Sequence, residues 1–453
     1  MKKRSSVLLT VLIAFLALAV LFVGCSKTAE TTGTTAQVEL RVLNYTDLTA
    51  ANTAQGIQII WEAFEAANPD IKIVREDLYN EAYHEKIAAY AAANQMPDVV
   101  YAWPAGRSSF LHNEHLLKDL SSLLQKDNLT GDYLPAVLDV SQQAAGYLAV
   151  LPMGLTSSHA MYVNLEVLDA LGLKPATTYE ELKAQVPILK AAGKQTVIMD
   201  NASDWVMQSC LFSMVAGRFG GAGWEQKILN GTAKFTDPEF VAALNFIKTI
   251  YDDGVIDRNI SLSSGYGDGL GTFSTNQGAY FIDGDWRMGS FLTDSSTGQA
   301  LISPDRQKNF QITVFPDIAG AKINKSTSVT MGTGYGIAAS VPAGSAKEEA
   351  AWRLIKWLTG STIAAYQVQT GATPTPANTK IDISTLTLEP LQVAMAQLGT
   401  QYSTPTCVFD AALDASIATV CNIGLQEIGL GSKAPSVVAQ DIQRAYDAWK
   451  AGQ

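Results

Sequence analysis

Three short strand patterns separated by helical patterns restrict this chain to few architectures. Residues 38–43 alternate between apolar and polar side chains, and 71–74 and 98–101 are further short β-rich runs. Between them, apolar residues at helical spacing predict helices over 57–64 and 83–93. Strands that alternate with helices predict parallel βαβ units, and therefore an α/β sheet that is covered on both faces.

The loops that follow two of these strands carry residues suited to ligand binding. Ligands of open α/β sheets bind beyond the carboxyl ends of the strands. Tyr45 and Asp47 follow the first strand, and Trp103 and Arg107 follow the third. Aromatic rings offer flat apolar area, and charged groups form strong hydrogen bonds with hydroxyls. We therefore expect all four to contact a ligand. The alternatives are a turn at Asp47, a solvated Arg107 and a Trp103 that packs under its own loop.

A second group of candidates lies in the later part of the chain. Asp285 and Trp286 belong to the segment 283–287, which places two carboxylates and a tryptophan within five residues. The alternative is a tight turn with Trp286 in the core. Tyr335 lies between two glycines, which permit close approach of a ligand to the backbone but also suit a bend in a strand.

Two further tryptophans are candidates on neighbouring residues alone. Trp205 follows polar residues and Trp224 follows a glycine-rich stretch, and the alternative for each is a place in the core. The segment 283–287 lacks the spacing of a twelve-residue calcium loop, and the sequence contains no HExxH, GxSxG or P-loop motif. We therefore predict no catalytic residue, no metal site and no cofactor.

The N-terminus has the organisation of an export signal. Three cationic residues at 2–4 precede an apolar run over 7–23 that only one threonine interrupts. The run ends in Leu-Phe-Val-Gly-Cys at 21–25, which resembles the lipobox of bacterial lipoproteins. The resemblance implies a signal peptide over 1–24 and a lipid on Cys25.

The threonine-rich segment 25–36 has no apolar periodicity and predicts a flexible tether. The alternative to lipidation is an uncleaved membrane anchor, for which the 17 residues of the apolar run are at the short limit. Both interpretations place the remaining chain outside the cytoplasm.

The charge of the chain excludes some partners. The net charge is −11, and without the three cationic residues at 2–4 it would be −14. An acidic protein is a poor partner for nucleic acid and for anionic lipid surfaces. An apolar content of 47% indicates a globular protein, and residues 37–453 suffice for two substantial domains.

Three cysteines follow Cys25. Cys407 and Cys421 are close enough in sequence for a disulfide that would leave Cys210 alone, and the alternative is three buried thiols.

Several segments, taken in order, resemble a known protein family. These segments are 38–43, 61–73, 96–100, 162–164, 171–173, 175–182, 278–286, 334–338 and the tryptophan-containing helix at 350–358. Behind a lipobox, they resemble the extracytoplasmic solute-binding proteins of bacterial ABC importers, carbohydrate-type family 1, to which maltose-binding protein belongs.

The resemblance implies an α/β, two-lobed periplasmic-binding-protein-like fold of type II with a hinge of crossing strands. By analogy, the first lobe would comprise 37–150 plus 276–328, the second 157–270 plus 334–453, and the hinge 151–156, 271–275 and 329–333.

The same resemblance implies a function. A monomer anchored through Cys25 would capture a carbohydrate by closing its lobes and deliver it to the permease subunits of an ABC importer. Two alternatives stay open at this point. One is an anchored carbohydrate-active enzyme, with Asp283 and Asp285 as a conceivable carboxylate pair. The other is a receptor that presents its solute to a membrane sensor.

Overall fold

The computed structural model describes residues 37–48, 52–103 and 106–452. The predicted signal peptide at 1–24, the predicted lipid site Cys25 and the predicted tether at 25–36 lie outside these residues. Within the described ranges, no helix combines the length and the apolar character that a membrane crossing requires.

The described residues contain thirteen strands, numbered in chain order: β1 (Val38–Tyr45), β2 (Ile71–Leu78), β3 (Val99–Ala102), β4 (Leu151–Pro152), β5 (Gly154–Ser157), β6 (Ala160–Asn164), β7 (Gln195–Ile198), β8 (Gly278–Asp283), β9 (Phe310–Thr313), β10 (Ser326–Met331), β11 (Gly334–Ile337), β12 (Thr375–Pro376) and β13 (Ser403–Cys407).

The α-helices are Thr53–Gly56, Ala63–Ala67, Glu81–Ala92, Ser109–Asn113, Ser121–Lys126, Pro135–Ala145, Leu165–Ala170, Tyr179–Ala191, Asp204–Met207, Ser213–Gly220, Trp224–Leu229, Pro238–Asp252, Arg258–Ser261, Asp268–Ser274, Pro304–Gln307, Ala346–Leu358, Ser361–Thr370, Pro390–Gln401, Phe409–Ala412, Ala415–Leu430 and Pro435–Ala451. Ile57–Glu62 and Gln208–Phe212 are π-helical, and Gly106–Ser108, Thr130–Asp132, Asp285–Phe291 and Ile383–Thr385 are 3₁₀-helical.

The first sheet has the strand order β2-β1-β3-β11-β4. β1 pairs in parallel with β2 and with β3, which confirms the predicted βαβ units. β11 is antiparallel to both β3 and β4. Trp61, Phe64 and Trp352 from the covering helices pack in its core. We call this sheet and the helices packed on it lobe one.

The second sheet has the order β7-β8-β6-β9. Its core extends into the helices Pro238–Asp252, Ala415–Leu430 and Pro435–Ala451, which cover one face. A capping box of Thr178 and Glu181 opens the helix Tyr179–Ala191. We call this sheet and its helices lobe two.

The strand pairing corrects the predicted division between the lobes. β8 pairs with β6 along 160–163, so the segment 276–328 begins in lobe two and not in lobe one. β11 pairs with β3, so the segment 334–453 begins in lobe one and not in lobe two. The prediction was wrong at these segments because the sequence pattern identifies a strand but not its neighbours in the sheet.

A third sheet, β12-β5-β10-β13, contains the strands that cross between the lobes. β5 follows β4 of lobe one and leads into β6 of lobe two, and β10 leads back from β9 to β11. The predicted hinge segments 151–156 and 329–333 lie in this crossing. The third, 271–275, lies instead at the helix Asp268–Ser274, which packs on β7 and β8.

Two cysteines have described side chains. Cys210 and Cys421 are buried free thiols, so the disulfide alternative for Cys421 is wrong. Burial raises the pKa of both thiols, which keeps them protonated at neutral pH.

Candidate functional site

A cavity of about 450 Å³ lies between the strand ends of lobe one and the segments of lobe two that face them. Seven of the nine residues predicted to contact a ligand line this cavity: Tyr45, Asp47, Trp103, Arg107 and Tyr335 from lobe one, and Trp205 and Trp286 from lobe two. The remaining two, Asp285 and Trp224, do not. The carboxyl ends of β1 and β3 therefore lead into the cavity, as expected for an α/β sheet.

The lobe-one wall is an aromatic cluster centred on Tyr45. The Tyr45 ring centroid lies 5.0 Å from Tyr79, 5.0 Å from Trp103 and 5.5 Å from Tyr101. The Tyr45–Trp103 pair is edge-to-face, with an interplanar angle of 87°, an arrangement that aromatic quadrupoles favour. Burial raises the pKa of Tyr79 to about 12, so its hydroxyl stays protonated. Burial also lowers the pKa of His84 to about 4, so this imidazole is neutral.

Short-range hydrogen bonds fix the position of Trp103. The Trp103 backbone N–H donates to Ser108 Oγ at 3.0 Å. The Trp103 carbonyl lies 2.8 Å from Nε2 of His112, which is only 3% exposed. A Trp103 held on both sides by such bonds presents its ring to the cavity at low entropic cost.

The lobe-two wall combines Trp205, Tyr266 and Trp286. Trp286 Nε1 donates to the Tyr266 hydroxyl at 2.6 Å, and the rings of Trp205 and Tyr266 are 4.8 Å apart. Asp200 holds the loop of Tyr266 by accepting hydrogen bonds from the backbone N–H of Gly267 at 2.8 Å and of Gly269 at 3.0 Å. Sequence reasoning missed Tyr266 because its glycine-rich segment has no periodic pattern.

A polar row lies across the strand ends of lobe one. The Tyr335 hydroxyl donates to Asn44 Oδ1 at 2.6 Å, and Asn44 Nδ2 donates to Asp77 Oδ1 at 2.8 Å. Arg75 Nε donates to Asp77 Oδ2 at 2.7 Å. These residues come from β11, β1 and β2, and all of them line the cavity. Sequence reasoning missed Asn44, Arg75 and Asp77 because they lie within strands and not in the loops after them.

Arg107 connects the lobes at one side of the cavity. Its Nη1 donates to Glu81 Oε1 at 2.6 Å, and its Nε donates to Asp410 Oδ1 at 3.3 Å. Burial raises the pKa of Asp410, and the Arg107 guanidinium opposes that shift. The solvated alternative for Arg107 is therefore wrong, since its Nη1 and Nε both contact carboxylates and its side chain is only 19% exposed.

Asp285 lies below the cavity wall and not in it. The residue is 2% exposed, and its Oδ2 accepts a hydrogen bond from the backbone N–H of Ser157 in β5 at 2.7 Å. Its Oδ1 is buried without a hydrogen-bond partner among the described residues. Burial raises the pKa of Asp285 to about 8. The carboxyl group therefore supports a crossing strand instead of facing the cavity.

Trp224 belongs to the core of lobe two. It is 5% exposed and stacks on Phe240 at a centroid distance of 5.8 Å and an interplanar angle of 22°. The neighbouring glycines open the helix Trp224–Leu229 and do not expose the ring: Gly223 precedes that helix in the left-handed region, at φ 73°. The core alternative for Trp224 is thus the one observed.

The cavity holds the elements of a binding site. In the described part of the chain, no group of three or more His, Cys, Asp or Glu side chains could hold a metal ion. Asp283 and Asp285, the conceivable carboxylate pair, are 1% and 2% exposed and do not line the cavity. Two aromatic walls and a polar row that face each other across a cleft define a two-lobed solute-binding protein.

The family follows from a comparison with known proteins. Residues 50–365 match the model of the bacterial extracellular solute-binding protein family, and the chain belongs to this family. It is therefore a solute-binding protein and not an enzyme, which confirms the resemblance seen in the sequence and excludes the carbohydrate-active enzyme.

Individual relatives are distant. A probable sugar-binding periplasmic protein from Brucella suis is 26% identical over 168 residues, which are 35% of this chain and 37% of that protein. The matched part thus spans little more than a third of the relative's length.

Two solved structures have the same fold over most of the chain. One comes from work on xylan utilization by Caldanaerobius polysaccharolyticus, with a TM-score of 0.78, 22% identity and coverage of 90% of this chain and 99% of the other. The second is a chitin oligosaccharide binding protein, with a TM-score of 0.78, 19% identity and coverage of 92% and 100%. The predicted type II periplasmic-binding-protein-like fold is confirmed.

Proposed function

We propose that this protein captures a carbohydrate, either a mono- or an oligosaccharide, between its lobes and delivers it to an ABC importer. The observation that carries the proposal is the pair of aromatic walls that face each other across the cavity. Sugar rings have apolar C–H faces that stack on aromatic side chains, and a rim of hydroxyls that requires polar partners. The polar row of Asn44, Asp77 and Arg75 offers such partners on lobe one.

The relatives support a carbohydrate over other solutes. The Brucella suis protein is described as probably sugar-binding, and one of the two solved structures binds chitin oligosaccharide. A cavity of about 450 Å³ is within the range of small-molecule sites.

Capture would proceed by hinge closure. A solute that contacts Trp103 in lobe one and Trp286 in lobe two gains both contacts only when the lobes are closed, so it stabilises the closed state. The crossing strands β5 and β10 would accommodate the rotation. The predicted lipid on Cys25 would keep the monomeric receptor beside its permease subunits on the extracytoplasmic side of the membrane.

Isothermal titration calorimetry of residues 37–453 tests the solute class. The panel contains xylotriose, N-acetylchitotriose, maltotriose and their monosaccharides, with amino acids and spermidine as controls. We expect micromolar or tighter binding of at least one saccharide and none of the controls. Binding of a control, or of no saccharide, would contradict the carbohydrate assignment.

Two cell experiments test anchoring and delivery. Replacement of Cys25 by Ser should release the protein from the membrane fraction, whereas an unchanged distribution would contradict lipidation.

Deletion of the gene should abolish uptake of the radiolabelled saccharide. Unchanged uptake together with loss of a transcriptional response to that saccharide would instead support the sensor alternative. Light scattering of the purified chain should give the mass of a monomer.

A further inference from the structure

Arg287 has a buried donor that is not yet paired. Arg287 lines the cavity, and its Nη2 is buried without a hydrogen-bond partner among the described residues. The whole residue is only 7% exposed. An unpaired donor on a buried charged group costs free energy, so such a group normally has an acceptor.

The guanidinium of Arg287 is fixed by its surroundings. Its Nε donates to Asp283 Oδ2 at 2.7 Å, and its Cζ lies 4.0 Å from the ring centroid of Tyr266. Asp283 is fixed in turn, because its Oδ1 accepts a hydrogen bond from the backbone N–H of Gly284 at 2.7 Å. The side chain therefore cannot easily turn away to seek another acceptor.

We propose that Arg287 determines specificity by donating a hydrogen bond from Nη2 to a hydroxyl of an uncharged saccharide held against the lobe-two wall. This inference rests on the proposed function, because it names a further contact and the charge class of the solute at that site. The neighbouring Trp286 and Tyr266 would carry the stacking surface, and Arg287 would supply the directional contact.

The charges of the cavity point to an uncharged solute. Three arginines and three aspartates are found among the described lining residues. Each of these arginines already contacts a carboxylate: Arg75 faces Asp77, Arg107 faces Asp410 and Arg287 faces Asp283. A carboxylate or phosphate on the solute would meet no uncompensated cation, whereas a hydroxyl can accept a hydrogen bond from a neutralised guanidinium.

Replacement of Arg287 by Lys tests the contact, since Lys keeps a cation beside Asp283 but removes the guanidinium group and its Nη2 donors. The matched control is Arg306→Lys, because Arg306 also contacts a carboxylate in lobe two, Glu166, but does not line the cavity. For the trisaccharide of the calorimetry panel that binds the unmodified protein, we expect at least tenfold weaker binding by R287K and unchanged binding by R306K. The melting temperature of each variant reports on folding.

A second variant covers the case in which R287K does not fold. The double variant D283N/R287Q removes both buried charges together and should fold with binding weakened at least tenfold. Trigalacturonate serves as the charged probe and should bind at least tenfold more weakly than the neutral trisaccharide.

Each possible result supports or overturns a specific part of the proposal. Normal affinity in a folded R287K, or in D283N/R287Q, would overturn the role of Arg287 and leave the carbohydrate assignment intact. Tighter binding of trigalacturonate would overturn the uncharged class. Failure of every saccharide to bind the unmodified protein would overturn the proposed function, and this inference with it.

Discussion

Arg107 Nε and Asp410 Oδ1 lie 3.3 Å apart and join the two lobes across one side of the cavity. Arg107 follows β3 of lobe one, whereas the backbone N–H of Asp410 donates to Gln208 Oε1 of lobe two at 3.2 Å. In the proposed hinge opening, Asp410 would move with lobe two, and the pair would form only in the closed arrangement. The ion pair is partly buried, so solvent screens it less than it screens a surface pair.

Loss of this pair should shift the protein towards the open state. We expect Arg107→Gln and Asp410→Asn each to weaken saccharide binding several-fold, because the closed state loses a contact that the open state lacks. Calorimetry and small-angle scattering would measure affinity and lobe separation. In the double variant, the effect should be smaller than the sum of the two single effects. Strict additivity would show that the two side chains act independently.

The tryptophans of the cavity should matter for affinity and those of the core for stability. We expect Trp103→Ala and Trp286→Ala each to weaken binding more than tenfold, which corresponds to about 1.4 kcal/mol, because a stacking surface is lost. Trp224→Phe is the control: it should lower the melting temperature and leave the dissociation constant unchanged. If both cavity variants bound the saccharide normally, the stacking assignment would be wrong.

Asp285 should make stability depend on pH. Burial raises its pKa to about 8 in the folded protein, against 3.8 for a free carboxyl. Between these values the unfolded chain releases a proton that the folded protein keeps, so stability falls as pH rises from 4 to 8. Asp285→Asn removes this titration and should stabilise the protein, increasingly so towards pH 8.

Urea unfolding of the unmodified protein and of Asp285→Asn at pH 5 and pH 8 would measure the difference. Asp305→Asn is the control, because its side chain is 97% exposed, and it should show no such dependence. If the free energy of unfolding of Asp285→Asn differed from that of the unmodified protein by the same amount at pH 5 and pH 8, Asp285 would not titrate in this range.

Arg218 should stabilise the fold where the chain enters β10, the strand that leads from lobe two back to lobe one. It is fully buried, and its Nη1 and Nη2 donate to the carbonyls of Pro316 at 2.7 Å and of Phe315 at 2.8 Å. Nη2 also lies 3.1 Å from the carbonyl of Ser326, the first residue of β10. Arg218→Met would leave these carbonyls without their donors and should cost about 3 kcal/mol or more of unfolding free energy.

Chemical denaturation would measure this loss. Arg444→Met is a suitable control, because the Arg444 side chain is 68% exposed and forms a surface ion pair with Asp441. We expect that variant to lose less than about 1 kcal/mol. Equal losses in the two variants would show that the buried hydrogen bonds of Arg218 do not stabilise the fold.

Local pattern was sufficient for the first three strands and for seven of the residues that line the cavity. β1, β2 and β3 lie where alternation and apolar runs predicted strands, with ends that differ by a few residues. The rule that ligands bind at the carboxyl ends of parallel strands then located Tyr45 and Trp103 correctly at the cavity.

The two tryptophans of lobe two show where local pattern fails. Trp205 and Trp224 both lie at the start of short helices, yet Trp205 lines the cavity and Trp224 is in the core. What separates them is their neighbours: Tyr266 packs on Trp205, and Phe240 and Phe409 pack on Trp224. These neighbours are distant in sequence, so no local window contains the information.

The sequence by itself determined the βαβ pattern of lobe one, the resemblance to the solute-binding family and seven of the residues that line the cavity. The tertiary structure alone decided that β8 pairs with β6 and β11 with β3, and it added Asn44, Tyr266 and Arg287 to the site. The physical reason is how far apart in the sequence the interacting residues lie. Strand and helix formation follow from neighbouring residues, whereas strand order and burial depend on contacts between segments far apart in the chain.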